Sequence, residues 1–376
     1  NILDYKRIPL SSAERKIREG GFPYYGAQGI IDYIDDYIFD GTYLLIAEDG
    51  ENLKSKKQDI AQLAHGKYWV NNHAHIVESN GICDIRYLCY ILNNIDLSGY
   101  ITGSAQPKLN QANLSAISII LPPLNLQEQI ADFISMFDNK IELNRRINDN
   151  LEQQAQALFK SWFVDFEPFK KGKFIDSELG MIPEGWQVEE LGNITNSITE
   201  KVGKRTDVKV LSPVNTGDLL LSEEYFTKQV YSKTLAKYIM VAPNDFAYNP
   251  ARINIGSIGM NTFDFSGCVS PVYVVFRCEK EYHHFFNIFK ATKNFKEEVN
   301  TRAIGGVRQT LSYKDFSLIK IVYPPKEAVE QFNKIYSHIM TLIKKNVLEN
   351  KRLHQTRDTL LPKLMSGELK INDINN

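Results

Sequence analysis

The sequence has little of what marks redox, metal-bound, secreted or membrane proteins. Its four cysteines, at positions 83, 89, 268 and 278 of 376 residues, form no Cys-x-x-Cys pair. Such sparse spacing predicts reduced thiols and no zinc site. The sequence also has no long uninterrupted apolar run and no signal-peptide pattern. It therefore predicts a cytoplasmic protein rather than a membrane-spanning or exported one.

An excess of charge of one sign is also missing. Lysine and arginine number 44 against 45 aspartate and glutamate residues, for a formal net charge of -1. This balance gives no global indication of a nucleic-acid partner, although a DNA-binding protein needs only a local basic face. Short basic clusters occur at residues 54–57, 170–173 and 201–205. Each by itself is more typical of a solvated surface.

The motifs of DNA methyltransferases, nucleotide hydrolases and nucleases are absent. No glycine-rich cofactor loop is present, and the string nearest to a [DN]-P-P-[FYW] tetrad, at residues 249–252, has Ala and Arg in its last two places. Gly203–Thr206 ends like a phosphate-binding loop, but Ile198 stands where the first glycine is required. The acidic residues show no nuclease-like arrangement around a metal. We therefore predict no catalytic residue, no bound metal and no cofactor.

What the sequence does contain is an internal repeat. The segment that begins at residue 103 recurs at residue 305, an offset of 202 residues without a gap. This offset superposes Leu109 on Leu311 and the first Pro-Pro pair, at 122–123, on the second, at 324–325. Two copies with so long a period indicate an internal pseudo-dimer rather than a solenoid of short stacked units.

Each copy combines a β-rich part with a long helix. Alternating apolar residues over Ser115–Leu121 and Val269–Phe276 predict strands. After the first Pro-Pro pair, a capping box of Asn125 and Glu128 predicts the start of a helix that runs to Phe163.

The second helix is predicted from about Lys326 to Met365. Apolar residues at alternating spacings of three and four give both helices a coiled-coil seam, and at about 38 residues each they need a partner to cover it. The simplest partner is the other helix of the same chain.

Four asparagines interrupt this seam near mid-helix, namely Asn144 and Asn148 in the first helix and Asn346 and Asn350 in the second. If a pseudo-dyad relates the repeats, the helices are antiparallel, with Asn144 opposite Asn350 and Asn148 opposite Asn346. Paired amides fix helix register, because a slip buries an amide against leucine at roughly 1 to 3 kcal/mol. The alternative is that the four asparagines are merely exposed.

Several strings resemble one protein family. Three strings are SWFVDFEPF at Ser161–Phe169, DSELGMIPEGW at Asp176–Trp186 and LLPKLMSGEL at Leu360–Leu369. The first two resemble the central conserved region of type I restriction-modification specificity subunits, and the third resembles their C-terminal one. Those similar to two classes of target recognition domain are Phe22–Gly41 with Trp69–Val77, and Ala251–Asn261 with Gly267–Phe276. The resemblance covers nearly the whole chain in the family's order, although the first domain lacks the PEGW lead-in of the second.

The resemblance implies an α+β fold with two β-rich target recognition domains, joined by two long antiparallel coiled-coil helices in a pseudo-two-fold repeat. It implies a non-catalytic subunit that recognises a bipartite site in double-stranded DNA. The implied partners are two modification subunits, which carry S-adenosylmethionine and methylate adenine N6, and two restriction subunits, which carry ATP, Mg²⁺ and cleavage. The chain then divides into recognition domain 1 (residues 1–124), conserved helix 1 (125–165), a linker (166–185), recognition domain 2 (186–325) and conserved helix 2 (326–369).

Base readers are expected among Arg, Lys, Asn and Gln side chains in loops that flank strands, since these match base edges in the major groove. Lysines contact phosphates more often than bases, and about half of such residues are expected to be solvated side chains without a role in binding. The candidates are Tyr25, Gln28, Asn71, Asn72, His73, His75, Gln106 and Lys108 in the first domain, and Lys204, Arg205, Arg252, Asn254, Arg302, Arg308 and Gln309 in the second.

His73 and His75 lie two apart in a predicted strand, which places them on one face. This spacing is compatible with a metal, but no third ligand is evident in the sequence, so we expect a structural or DNA-facing pair.

Two other functions remain open from the sequence. The chain could be the recognition half of a fused restriction-methylation enzyme, whose catalytic sequence would lie upstream of Asn1. It could also be a two-headed scaffold that binds protein partners without DNA, and would then show no salt-dependent affinity for duplex DNA.

Overall fold

A computed structural model describes residues 1–104, 106–226, 230–303 and 310–371. The chain forms two compact units: unit 1 comprises Asn1–Arg145 and Val347–Asn376, and unit 2 comprises Arg146–Asn346. The division falls inside the two longest helices, so each helix begins in one unit and ends in the other. No helix in the described ranges is both long and apolar enough to cross a membrane.

Unit 1 contains two small sheets. Its strands are β1 (Glu19–Gly26), β2 (Gly29–Ile34), β3 (Phe39–Asp40), β4 (Tyr43–Ala47), β5 (Ala61–Ala64), β6 (Lys67–Val70) and β7 (Ala74–Val77). The sheet orders are β2-β1-β6-β3 and β5-β4-β7, antiparallel except where β1 meets β6. Leu44, Leu45 and Ile46 of β4 are at most 1% exposed, so this strand is buried on both faces.

Four short helices complete this part of unit 1, namely α1 (Ser12–Ile17), α2 (Asn52–Ser55), α3 (Ile85–Asn94) and α4 (Gln111–Ala116). The strand predicted over Ser115–Leu121 is wrong. The Asn110 side chain accepts a hydrogen bond from the Asn113 amide and caps α4, which makes the first residues of that segment helical. The residues that follow α4 pair with no strand in the described part of the chain.

Unit 2 is built on a four-stranded antiparallel sheet and several strand pairs. Its strands are β8 (Phe174–Ile175), β9 (Ile182–Pro183), β10 (Gln187–Glu190), β11 (Thr195–Ile198), β12 (Leu211–Pro213), β13 (Leu219–Leu221), β14 (Ile239–Val241), β15 (Phe246–Tyr248), β16 (Ile258–Met260), β17 (Gly267–Val269), β18 (Val274–Cys278) and β19 (Lys320–Tyr323). The order of the larger sheet is β11-β18-β15-β16, and β8-β9, β10-β19, β12-β13 and β14-β17 form pairs. The strand predicted over Val269–Phe276 is in fact interrupted between β17 and β18.

Aromatic rings fill the interior of unit 2. The rings of Phe246 and Phe276 stack at 5.2 Å, and Phe286 meets both edge-on. The shorter helices of this unit are α6 (Leu191–Ile194), α7 (Ser222–Tyr225), α8 (His283–Phe289), α9 (Lys293–Arg302) and α10 (Tyr313–Phe316).

The two long helices are α5 (Leu124–Phe163) and α11 (Lys326–Ser366). Helix α5 begins one residue before the predicted cap at Asn125, so that residue lies in the first turn. In unit 1, one buried cluster joins Ile130 and Ile134 of α5 to Leu361 and Leu364 of α11.

In unit 2, the ring of Phe163 of α5 lies 5.0 Å from that of Phe332 of α11. In each unit an early part of one helix thus packs against a late part of the other, which makes the helices antiparallel.

Candidate nucleic-acid interface

Four segments of unit 1 meet beside the end of β4, at residues 26–29, 48–50, 71–73 and 106–108; we call this surface the loop edge. Backbone hydrogen bonds join them: the Glu48 amide donates to the His73 carbonyl at 2.9 Å, and the Gly50 amide donates to the Pro107 carbonyl at 3.1 Å. The Asn71 amide donates to the Tyr25 carbonyl at 3.0 Å. The structure therefore brings the first-domain candidates of the sequence to one place.

Behind the loop edge lies a buried charge network that the sequence did not reveal. The His75 side chain is fully buried, with Nδ1 2.5 Å from Asp4 Oδ2 and Nε2 2.7 Å from the Leu109 carbonyl. Both neighbours are acceptors, so both ring nitrogens must donate and the imidazole is a cation. Arg7 closes the network with contacts to Asp4 at 3.3 Å and Glu48 at 2.6 Å.

The pKa values within this network move in opposite directions. Burial by itself lowers the pKa of His75, but the hydrogen bonds to Asp4 and Leu109 and the nearby acidic charges outweigh it and raise that pKa. Burial likewise works to raise the pKa of Asp4, but the bond from His75 and the Ile76 amide hold that pKa below its ordinary value. The network is thus a buried set of paired ions.

Asp4, Glu48 and His75 together offer three potential metal ligands, with donor atoms within 4.8 Å of one another. Their donor atoms are already engaged, however, by one another and by Arg7, and Lys108 contacts Glu48 at 3.1 Å. Two cationic side chains at the carboxylates oppose the entry of a further cation. The cluster is therefore an ion-pair network rather than an open coordination site.

The two histidines play different parts, which corrects the expectation that they share one face. Strand β7 begins at Ala74, so His73 lies in the preceding turn and strand alternation does not apply to it. His73 is half exposed, and its Nδ1 lies 2.6 Å from Asp49. His75 is buried, so it supports the loop edge rather than facing DNA.

The remaining first-domain candidates divide by exposure. Asn71 is 6% exposed, and its Oδ1 accepts a hydrogen bond from the His73 amide, so it shapes the turn from within. The half-buried Tyr25 packs its ring edge-on against Tyr68 at 5.4 Å. Gln28, Asn72, Gln106 and Lys108 are exposed on the loop edge.

The candidates of unit 2 are more dispersed. Lys204 and Arg205 are exposed in one loop, where Arg205 contacts Glu200 at 2.5 Å. Arg302, at the end of α9, contacts Glu298 at 3.0 Å. Arg252 and Asn254 are exposed in the turn that follows β15. Arg308 and Gln309 lie outside the described residues.

The two units share one loop anchor at the repeat offset. In unit 1 the Leu109 amide donates to the Glu48 carbonyl at 2.8 Å, and in unit 2 the Leu311 amide donates to the Pro250 carbonyl at 3.0 Å. Both partners of the second bond stand 202 residues after those of the first. The turn with Arg252 is therefore the unit 2 counterpart of the loop edge of unit 1.

The four mid-helix asparagines lie in two pairs. In unit 1, Asn144 Nδ2 donates to Asn350 Oδ1 at 2.8 Å, and in unit 2, Asn346 Nδ2 donates to Asn148 Oδ1 at the same distance. Repeat-equivalent residues act as donor in both pairs. This is the pairing that an antiparallel pseudo-dyad predicts; its role in setting the register stays a prediction.

Comparison with known proteins points to one family. Residues 1–153 match the family described as type I restriction modification DNA specificity domain. The MjaIX specificity subunit of Methanocaldococcus jannaschii is 26% identical over 404 residues, which cover 97% of this chain and 91% of that protein. A putative specificity subunit of Haemophilus influenzae is 37% identical over 134 residues, 36% of this chain and 34% of that protein.

The fold has a solved counterpart. The S subunit of a type I restriction-modification system from M. genitalium superposes with a TM-score of 0.55 at 14% identity, over 97% of this chain and 95% of that one. This likeness supports the predicted α+β fold with two domains joined by long helices. The predicted non-catalytic role agrees with these relatives, which are named as specificity subunits. Residues 1–153 thus match the type I DNA specificity domain, and over nearly its whole length the chain is similar to specificity subunits of type I restriction-modification systems.

Proposed function

We propose that the chain recognises a bipartite, asymmetric site in double-stranded DNA, one half through unit 1 and the other through unit 2. The observation that carries this proposal is the repeated anchor, in which Leu109 and Leu311 hold equivalent loops to Glu48 and Pro250. The two units hold copies of one loop framework, and these copies carry different exposed side chains. Such copies can recognise two different DNA half-sites. A partner scaffold without DNA contact would not need this combination.

The proposed assembly contains two modification subunits and two restriction subunits around this chain. S-adenosylmethionine would be bound by the modification subunits, and ATP and Mg²⁺ by their motor-nuclease partners. The chain itself contributes the sequence recognition. Its polar loops bind and orient the DNA, and α5 and α11 join the two recognition units. Purified alone with S-adenosylmethionine and DNA, it should transfer no methyl group, and addition of the modification subunit should restore transfer.

Exchange of one domain tests the proposal. Replacement of residues 186–325 by the equivalent domain of a relative should change one half of the methylated motif and leave the other half intact. Sequencing of methylated adenines, with the complete complex expressed in a host, reads out both halves. A change in both halves together would show that the units are not separate readers.

The helices should also set the number of base pairs between the half-motifs. Four residues inserted into α5 after Asn148 add about 6 Å of helical rise, against about 3.4 Å per base pair, so the tolerated gap should lengthen. The methylated motif of an active variant measures this gap. An unchanged gap would show that the helices do not determine the spacing.

A further inference from the structure

The charged side chains of the loop edge are all engaged within the protein. Among its four segments, Glu48 pairs with Arg7 and Lys108, and Asp49 pairs with His73. A charged side chain that already has a partner must break that ion pair in order to contact a nucleobase. The ionic groups of this surface are therefore poorly suited to act as its main base readers.

Three side-chain amides on the same surface have no such engagement. Gln28, Asn72 and Gln106 are exposed, and none makes a side-chain hydrogen bond in the described part of the chain. They surround the segment 48–50. Gln28 Nε2 lies 3.5 Å from the place where a Cβ on Gly50 would stand, and Gly50 donates to the carbonyl of Pro107, next to Gln106.

Asn72 reaches the same segment through its neighbour, since the carbonyl of His73 accepts the Glu48 amide. The backbone on all sides is fixed by hydrogen bonds, whereas the amides themselves are free. Such an arrangement holds three readers at one place and leaves their donors and acceptors for a ligand.

A primary amide offers one acceptor and one donor side by side. In the major groove, adenine presents the complement, an N7 acceptor beside an N6 donor, whereas guanine presents two acceptors, which suit a guanidinium. We propose that Gln28, Asn72 and Gln106 read adenine in the half-site of unit 1, at positions besides the adenine that is methylated. This inference rests on the proposed function and names the bases that unit 1 prefers.

Unit 2 supplies the contrast. At the repeat offset, Arg252 stands in the place of Gly50 and Arg308 in the place of Gln106. The Arg252 side chain is exposed and forms no ion pair among the described residues. The framework therefore presents three amides in unit 1, whereas in unit 2 it presents the Arg252 guanidinium beside the amide of Asn254.

The test uses the complete complex with its modification partner and the methylated motif as readout. Gln28→Ala, Asn72→Ala and Gln106→Ala should each lower discrimination at an A·T position of the unit 1 half by about 5- to 100-fold, with the other half unchanged. Gln106→Arg should shift preference at one position from adenine towards guanine. Asn94→Ala is the matched control, because that exposed amide on α3 belongs to none of the four segments and donates to the Tyr90 carbonyl; the motif of this variant should stay unchanged.

Other outcomes overturn the inference. If all three alanine variants keep every position of the motif, the amides are not readers. If they weaken binding uniformly and reduce its salt dependence, they contact phosphates instead. If discrimination falls only at G·C positions, the assignment to adenine is wrong. A wild-type complex with no bipartite motif would remove the proposed function itself, and so is distinguishable from these results.

Discussion

The equivalent sheets of the two units carry different interiors on the same strand pairing. In unit 1, Ile46 of β4 pairs with His75 of β7, and in unit 2, Tyr248 of β15 pairs with Val274 of β18. A buried imidazolium thus stands where the other unit has an aliphatic side chain. The strand framework therefore does not require the charge network, and the network serves the particular loops of unit 1.

Removal of the buried histidine should have the largest effect. His75→Val places in unit 1 the residue type that unit 2 has at the equivalent position, Val274. It removes the cation that pairs with Asp4. Loss of one partner of a buried ion pair costs roughly 3 to 5 kcal/mol. Native-state hydrogen exchange at the β4 and β7 amides measures the loss in unit 1, with β15 as the internal reference in unit 2. The double variant Asp4→Asn with His75→Val should recover part of it. An unaltered exchange rate in β7 would mean that the network stabilises nothing.

The asparagine pairs should give a smaller effect, which is greater in unit 2 than in unit 1. Asn346→Leu leaves Asn148 without its partner, at roughly 1 to 3 kcal/mol, whereas Asn350→Leu should cost less because Asn144 keeps its hydrogen bond to Glu349. Urea denaturation of the two variants measures both. Replacement of Asn148 and Asn346 together by leucine should be nearly neutral, since no amide is then left unpaired. A single variant as stable as the wild type would show that the amides are solvated.

The pH dependence should be the smallest effect and opposite in sign in the two units. Because the pKa of His75 is raised from 6.5, its contribution is complete below that value and is lost as pH rises through the folded pKa. In unit 2, burial and the adjacent His283 lower the pKa of His284 to about 4, so unit 2 gains stability as pH rises from about 4 to 6.5.

Hydrogen exchange in β7 and α8 between pH 4 and 9 follows the two histidines separately. His75→Val should abolish the alkaline loss in unit 1, and His284→Leu should abolish the acid-side gain in unit 2. Parallel pH profiles in the two units would contradict the assignment of a charged and a neutral histidine.

The long helices and their asparagine pairs could be predicted from the sequence, because a seam with a spacing of three and four residues and a strict repeat offset are local signals. The start of α5 differs from the prediction by two residues, at Leu124 rather than at the residue after Asn125. Helix ends depend on cap geometry, which the sequence specifies only approximately.

The buried network could not be predicted, because Asp4 and His75 lie 71 positions apart and only the folded sheet brings them together. The failed strand after Ser115 has a similar cause. Alternation of apolar and polar residues describes only the side chains, whereas a strand also needs a neighbouring strand for its backbone hydrogen bonds. In unit 2, β19 has this neighbour in β10, and no described strand takes that role beside the equivalent residues of unit 1.

The anchors at Leu109 and Leu311 are made by backbone groups alone. A bond from a main-chain amide to a main-chain carbonyl forms whether the acceptor belongs to a glutamate or a proline, as the two units demonstrate. Exposed side chains on the anchored loops that pair with no other described residue, such as those of Gln106 and Arg252, can consequently vary without loss of the loop's position. Under the proposed function, mutation of these side chains can therefore change the recognised DNA sequence one residue at a time while the loop keeps its position.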